Sequence, residues 1–374
     1  MIARHVFLRR MATVVLGLSL LAVSACATRE PSLLVPIGQA PQGATTIDLL
    51  AVTTREPSSI PGQIYSGARG RGLSGRIIEV SIPPSHQAGS LEWPSGGAPD
   101  PKAEFAAVSV KTTKPEEAWA WFDAQETDGR VLIFVHGYNV QFADAVFRLA
   151  QITKDLPVTA APVLFSWPSG GELLGYNYDK ESATLARDAF ETLITKAIES
   201  DRVSRITILA HSMGSWVTME TLRQMTIRRG QLSGKVADVI LAAPDLDIDV
   251  FEQQFVSLGE QRPHFTFIVS ADDRALRLSK MLARGEQRLG SIDPSKEPYK
   301  SRIEATPGVT VINLSDASGG GARHSKFAES SEMLDFARRT LADNTAAQAE
   351  KTAIGEVAGA VIVTLGMGVA KKGD

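Results

Sequence analysis

The hydrophobic positions of this 374-residue chain fall into short continuous runs that alternate with segments of helical periodicity. Six apolar runs follow one another at residues 131–137, 161–169, 206–212, 236–245, 264–273 and 309–316. Continuous apolar strands of this length are typical of a sheet that is buried on both faces. Between them, residues 142–155 and 182–199 carry apolar side chains at helical spacing, which predicts amphipathic helices.

This alternation predicts the fold class. Strand followed by helix, repeated, gives an α/β fold with a mostly parallel, doubly wound sheet, right-handed crossovers and helices on both faces. Residues 47–54 and 75–83 also have strand composition and predict an N-terminal strand extension. The glycine-rich stretch 67–75 is expected to be a loop, because it leads into a strand and does not open a helix as a phosphate-binding loop would.

The first residues have the pattern of an export signal. Three arginines precede an apolar run at about 11–23 that is too short to span about 30 Å of hydrocarbon. Cys26 is the single cysteine and follows Val-Ser-Ala, the pattern of a bacterial lipobox in which the cysteine is lipidated. Ala27 is not the aspartate that retains lipoproteins at the inner membrane. We therefore expect an exported protein, anchored by lipid to the periplasmic face of the outer membrane.

Composition suggests how the chain is divided. We expect a signal peptide at 1–25, a flexible tether rich in Pro, Gly and Ser at 26–46, and one domain at 47–345. That domain consists of the N-terminal extension, 47–128, and the core, 129–345. The apolar, glycine-rich tail at 346–374 is open to three interpretations: a helix on the body or membrane surface, an inserted segment, or disorder.

Charge and cysteine content exclude several classes of function. A net charge of −3 gives no electrostatic basis for a nucleic-acid partner. A single cysteine excludes an internal disulfide and a cysteine metal site. The run Asp245, Asp247, Asp249 lacks the glycine and glutamate of a calcium loop, since Val250 and Val256 stand there. No cofactor and no metal are expected, and nothing in the sequence indicates an oligomeric state.

Ser212 is the candidate nucleophile. It lies in Ala210-His211-Ser212-Met213-Gly214, between an apolar strand and a helix-like stretch. This is the context of the nucleophile elbow, whose usual pattern is GxSxG, with alanine in place of the first glycine here. The competing interpretation is that Ser212 is an ordinary helix N-cap.

A serine nucleophile needs a base and an acid. Of six histidines, His324 alone follows the last predicted strand, while the others are His5, His86, His136, His211 and His264. Asp273, after the strand at 264–269, is the preferred acid because it ends an SxxD spacing, and Asp245, one strand earlier, is the alternative. Backbone N–H groups of Met213 and Tyr138 are the expected oxyanion donors, with Gly137 allowing the turn. His136 is interpreted either as an organiser of this loop or as a buried structural histidine.

Several linked motifs resemble a bacterial branch of the α/β-hydrolase superfamily of unknown function: FVHGYN, FSWPSGG, LAHSMG, LAAPD, SADDRAL and RHSKF, with VTTREP, GARGRGLSG and VSIPPSHQAGSLEWP upstream. The resemblance extends over about residues 49–341 and implies an α/β-hydrolase fold. It also implies esterase- or lipase-like chemistry with Ser212, Asp273 and His324 as the triad. Lys326 stands where an aromatic residue is common in this branch, so an altered pocket rim is expected.

Ester hydrolysis is therefore the predicted reaction, on a small-molecule or lipid ester. Trp167, Tyr176 and Tyr178 are candidates for an apolar substrate wall, although loop aromatics also serve packing alone. Two other functions remain open. One is a catalytically silent envelope binding or scaffold protein on the same fold, and the other is an acyltransferase or amidase that uses the same triad.

Overall fold

The computed structural model describes residues 33–94, 97–156, 159–282, 287–306, 308–317 and 324–330, together with two strands at 354–357 and 360–364. The predicted signal peptide and Cys26 lie outside these ranges. Across the residues that are described, no helix combines the length and apolar character needed to cross a membrane.

Eleven strands in the described ranges form one mixed sheet in the order β10-β11-β9-β8-β7-β6-β4-β5-β1-β2-β3. The strands are β1 Thr45–Pro57, β2 Tyr65–Ile82, β3 Ala106–Thr113, β4 Arg130–Val135, β5 Ala161–Ser166, β6 Arg205–His211, β7 Val236–Ala242, β8 His264–Val269, β9 Val309–Asn313, β10 Ile354–Val357 and β11 Ala360–Thr364. Seven neighbouring strands, β1 and β4 to β9, pair in parallel, whereas β2, β3, β10 and β11 are antiparallel additions at the two edges. The predicted fold class is confirmed.

In the described ranges, helices lie between successive strands from β3 to β9 and after β9. They are α1 Pro115–Asp123, α2 Phe142–Asp155, α3 Tyr176–Leu185, α4 Arg187–Glu199, α5 Gly214–Arg229, α6 Ile248–Ser257, α7 Arg274–Leu282, α8 Tyr299–Glu304 and α9 Lys326–Glu329, with a 3-10 turn at Leu289–Ser291. The helical pattern at 182–199 is divided between α3 and α4, which meet at Ala186.

The alternation of side chains along β4 shows why this sheet needs helices on both faces. Val131, Ile133 and Val135 pack into one apolar core, whereas Leu132 and Phe134 pack into the other. All five residues are at most 5% exposed. Successive residues of a strand point to opposite faces, so an uninterrupted apolar run requires cover on both sides.

The N-terminal part differs from its prediction in two places. The glycine-rich stretch expected to be a loop lies within β2, where a Cβ on Gly70 would come within 2.7 Å of the Arg55 carbonyl oxygen. Glycine here allows two backbones to approach closely, which a turn-based interpretation misses. Leu33 and Leu34, assigned to the tether, are buried at 5% and 0% exposure. The body of the protein therefore begins earlier than residue 47.

The tail adds a hairpin to the sheet, an arrangement outside the three interpretations of the sequence. β11 pairs antiparallel with β9 and β10 pairs antiparallel with β11. The β-branched residues of AVIVT favour a strand once an open sheet edge is available.

Candidate active site

Ser212 occupies a strained turn between β6 and α5. Its φ of +52° lies in the left-handed region, which a residue with a side chain adopts only at a cost. The Ser212 N–H donates to the Ala242 carbonyl at 2.9 Å, which ties the turn to β7. Helix α5 has Met213 at its N-cap and no side-chain capping bond, so Ser212 does not serve as the N-cap. The turn has the conformation expected of a nucleophile elbow.

Two glycines allow the elbow to form against the end of β4. A Cβ on Gly214 would lie 2.5 Å from the carbonyl oxygens of both Val135 and His136. A Cβ on Gly137 would lie 2.8 Å from the Ser212 Cβ. Ala210, which replaces the first glycine of the usual motif, is fully buried without displacing the turn. The loop after β4 therefore packs directly on the candidate nucleophile.

The two expected oxyanion donors lie on either side of this contact. Within the described ranges, neither the Met213 N–H nor the Tyr138 N–H donates to another backbone or side-chain acceptor. The Tyr138 hydroxyl donates to the Leu173 carbonyl, which anchors the residue by its side chain. Among the described residues, both amide N–H groups are therefore available to donate to a ligand oxygen.

A buried arginine and a buried aspartate that the sequence did not single out hold the loop at 137–140. Arg55, only 1% exposed, donates from Nη2 to the Val140 carbonyl at 2.7 Å. Burial lowers the pKa of Arg55 to about 10, so the guanidinium remains charged at neutral pH. Asp179 Oδ2 accepts from the Asn139 N–H at 3.1 Å and from the Ser169 hydroxyl at 2.6 Å. An arginine inside an otherwise buried strand was the available signal for this support.

His136 belongs to the same support and is not a base. Burial, followed by the nearby Arg55 charge, lowers the pKa of His136 to about 3, so the imidazole is neutral. Its Nε2 lies 3.1 Å from the Ser166 hydroxyl, and its ring stacks on Trp167 with 4.9 Å between centroids. These contacts fit the predicted role of loop organiser.

The structure pairs His324 with Asp273. Nδ1 of His324 lies 2.7 Å from Oδ2 of Asp273. The Asp273 side chain is fully buried, whereas that of His324 is 17% exposed, so the imidazole is the member of the pair that a substrate can reach. Asp273 also accepts from the Leu276 N–H at 3.0 Å, which holds its carboxylate at the start of α7.

His211 connects the histidine to the elbow. The rings of His211 and His324 lie 4.6 Å apart between centroids, and His211 directly precedes Ser212. Among the hydrogen bonds of the described residues, none joins the Ser212 hydroxyl to His324, so the contact between the elbow and the histidine runs through His211. Burial, then the charge on His324, lowers the pKa of His211 well below its usual value. Its neutral Nε2–H donates to the His324 carbonyl at 3.2 Å.

Asp245, the alternative acid, lies in a separate polar cluster. It accepts from the Tyr176 hydroxyl at 3.1 Å and from the Ser279 hydroxyl at 2.5 Å. Arg288 Nε lies 3.3 Å from the same carboxylate but is not aligned for a hydrogen bond. Burial and the Asp245 charge raise the pKa of Tyr176 to about 12. The structure therefore brings Asp273, and not Asp245, to His324.

The three aromatic residues predicted as a substrate wall lie in different surroundings, and burial excludes only Trp167 from contact with a substrate. Trp167 is fully buried and donates from Nε1 to the His136 carbonyl at 2.8 Å, so its assignment as a substrate contact is wrong. The Tyr178 hydroxyl donates to the Gly67 carbonyl at 3.0 Å, and its ring lies under Arg69. Tyr176 is 7% exposed. Tyr178 is 38% exposed, so the substrate contacts of Tyr176 and Tyr178 stay predictions.

Lys326 also differs from its expectation. It is 3% exposed and forms an ion pair with Asp272 at 3.0 Å, so it is not part of a pocket rim. In the described part of the chain, no group of three His, Cys, Asp or Glu residues is arranged to hold a metal ion.

Taken with the sheet order, these positions define the class of protein. The elbow follows β6 and the oxyanion loop follows β4, where connections leave the sheet in opposite directions, the usual ligand site of a doubly wound sheet. The chain has the fold of an α/β hydrolase. Residues 114–342 match the model of a family described as alpha/beta hydrolase of unknown function (DUF900), and the chain belongs to that family.

Individual relatives are distant. An uncharacterized protein of Nostoc sp. (strain PCC 7120) is 26% identical in a match that covers 34% of this chain and 39% of the relative, so the chain spans well under half of that protein. Among solved structures, a predicted CIB-like hydrolase from Thermoplasma acidophilum is 12% identical, with a TM-score of 0.33, over 80% of this chain and 98% of the other. A lipase-esterase related protein from Clostridium acetobutylicum is 13% identical, with a TM-score of 0.30, over 57% and 93%.

Proposed function

We propose that this protein is a serine hydrolase that cleaves carboxylic esters, with Ser212 as nucleophile, His324 as general base and Asp273 as the acid. The observation that carries the proposal is the left-handed Ser212 turn, preceded by His211, whose ring lies 4.6 Å from that of a histidine that a buried aspartate holds at 2.7 Å. A strained serine turn lowers the stability of the fold, and together with an oriented imidazole it is typical of enzymes that catalyse acyl transfer.

The chemistry follows from which atom each residue presents. His324 Nδ1 bonds to Asp273, so the proton sits on Nδ1 and the lone pair of Nε2 is left for the serine proton. Ser212 Oγ then attacks the ester carbon while Nε2 takes its proton. The developing oxyanion accepts hydrogen bonds from Met213 and Tyr138, each worth about 3 kcal/mol of barrier reduction.

Collapse of the tetrahedral intermediate returns the proton from His324 to the leaving alcohol and leaves an acyl-enzyme at Ser212. Water, activated by the same imidazole, then attacks the acyl carbon and releases the acid. The bond between Ser212 and His324 that this requires forms with substrate in place, since catalytic hydrogen bonds are often long in free enzymes.

We further propose that the enzyme works at the cell envelope on a small-molecule or lipid ester, held by lipid on Cys26 at the periplasmic face of the outer membrane. The support is the lipobox at the only cysteine of the chain. Palmitate labelling that is lost in Cys26→Ser supports the anchor, and membrane association that is unchanged in that variant contradicts it.

The experiment that tests the catalytic proposal is labelling with a fluorophosphonate probe, followed by a panel of short acyl esters. Ser212→Ala should abolish labelling and lower kcat by about 10⁶-fold, the scale seen when a triad serine is removed. Ser215→Ala is the matched control, because Ser215 lies three residues further and its buried hydroxyl donates to the Ala210 carbonyl at 3.4 Å.

Two results would replace the proposal. Absence of labelling in the wild-type protein favours a silent binding or scaffold protein. Labelling with transfer to added alcohols or amines, in preference to water, identifies an acyltransferase, and cleavage of amides over esters identifies an amidase.

A further inference from the structure

Lys326 is a buried lysine beside the candidate base. It lies two residues after His324, and its ammonium is 3.0 and 3.2 Å from the two oxygens of Asp272. The same ammonium donates to the carbonyls of Leu314 at 2.7 Å and Ser315 at 3.1 Å. Ser270 Oγ is a more distant fifth contact at 3.4 Å. A buried ammonium needs acceptors for three N–H groups, and this one has them.

The residue that Lys326 pairs with is the neighbour of the candidate acid. Asp272 and Asp273 are adjacent in the chain, but one carboxylate contacts Lys326 while the other contacts His324. The backbone segments 272–273 and 324–326 are therefore joined by two side-chain contacts, Asp272 to Lys326 and Asp273 to His324. The carbonyls at the end of β9 add a third anchor to the lysine.

We propose that Lys326 and Asp272 form a positioning pair that fixes the imidazole of His324 relative to Ser212. The inference rests on the proposed function and names residues that touch neither substrate nor reacting atoms. Long connections that carry a catalytic side chain need such support, because a 1 Å displacement of a catalytic group costs about 100-fold in rate.

The pair also balances charge near the imidazole. His324 contacts Asp273 at 2.7 Å and the ring of His211 at 4.6 Å, and the Lys326–Asp272 pair joins the residues that flank this contact, while Arg148 of α2 is paired with Glu329 of α9 at 3.1 Å. Removing one member of the Lys326–Asp272 pair leaves the opposite charge beside His324, and a nearby charge shifts an imidazole pKa in a direction set by its sign.

The test uses Lys326→Met, Asp272→Asn and the double variant in the full chain. Lys326→Met should lower kcat about 10- to 100-fold and change KM by less than about threefold. The acid limb of kcat/KM against pH should move up by about one unit in Lys326→Met and down in Asp272→Asn. The double variant, with no net charge change, should bring the limb back to the wild-type position.

A readout that does not need turnover separates this inference from the proposed function. The His324 imidazole can be titrated by NMR in each variant, and the same opposed shifts are expected whether or not esters are cleaved. Lys235→Met is the matched control, since Lys235 also caps two carbonyls, of Ile198 and Ser200, at 2.9 and 2.8 Å. Lys235 directly precedes β7 and so lies at the amino ends of the parallel strands, away from His324. Its replacement should leave the titration of His324 unchanged.

Opposed shifts in the two single variants with recovery in the double variant establish the pair. Shifts of equal sign, or an unchanged His324 titration in folded Lys326→Met, overturn it. If Lys326→Met does not fold, Asp272→Asn and the double variant still decide, because the downward shift and its reversal remain measurable. If the fluorophosphonate probe does not label the wild-type protein but the NMR titrations show opposed shifts, the proposed hydrolase function is rejected, whereas the inference about the Lys326–Asp272 pair is retained.

Discussion

The elbow at 210–214 and the histidine segment at 324–330 meet at the carboxyl ends of the parallel strands but are held in different ways. The elbow is fixed by backbone contacts, in which Gly214 and Gly137 let neighbouring chains approach to distances that a Cβ would prevent. The histidine segment is fixed by side chains, through Asp273, His211 and Lys326. Close packing of backbone segments specifies the first region, and side-chain contacts specify the second.

The largest expected difference in kcat is between variants of Asp273, which holds the histidine segment, and of Asp245, which does not contact it. Asp273→Asn should lower kcat about 10⁴-fold with the fold retained, because an amide in that place favours the wrong imidazole tautomer. Asp245→Asn should chiefly lower the thermal midpoint, since Asp245 contacts Tyr176 and Ser279. Steady-state kinetics and thermal unfolding of both variants check this. A larger kinetic loss in Asp245→Asn would reverse the assignment of the acid.

The elbow should be broken by one methyl group. Gly214→Ala places a Cβ 2.5 Å from two carbonyl oxygens, so the start of α5 must move and carry Ser212 with it. We expect a loss of about 100-fold in kcat/KM, the cost of roughly 1 Å of displacement. Gly234→Ala is the control, because a Cβ there meets nothing within 4 Å. Equal activity of the two variants would show that the elbow tolerates movement.

His211 joins the two regions, and its loss should have a smaller effect. His211→Phe removes the donor to the His324 carbonyl and keeps a ring against Phe327, which stacks at 4.7 Å. A net hydrogen bond is worth about 1 kcal/mol, so a rate loss of about fivefold to tenfold is expected. Labelling rates with the fluorophosphonate probe measure it. A loss above about 1,000-fold would show that His211 acts in the reaction itself.

The smallest effect concerns pH and the contact between the N-terminal extension and the core. Burial lowers the pKa of His86, but hydrogen bonds to Asp155 and Glu92, at 2.9 and 2.8 Å, outweigh it, so the pKa is raised overall. A base with a raised folded-state pKa contributes stability that is complete below its unfolded pKa of about 6.5 and is lost as pH rises through the folded value.

Thermal unfolding of wild type and His86→Gln should therefore differ more at about pH 6 than at about pH 9. The network reaches the histidine segment, since Gln151 donates to Asp155 at 2.6 Å and to the Ala328 carbonyl at 2.8 Å. A difference that grows with pH would contradict the raised pKa.

Apolar runs were enough to predict the parallel strands, and the motif at 210–214 was enough to predict the turn at Ser212. Both features are encoded by a few neighbouring residues, so they can be recognised in the sequence. No local pattern could show that Arg55 and Asp179 support the oxyanion loop, or that residues 67–75 form a strand. His324 pairs with Asp273, while Asp245 contacts Ser279. Which of the two carboxylates reaches the histidine depends on how the connections pack over the carboxyl ends of the strands. The SxxD spacing favoured Asp273 over Asp245, but whether its carboxylate reaches His324, 51 residues later, is decided by packing, because no pattern of neighbouring residues fixes the path of the connections between them.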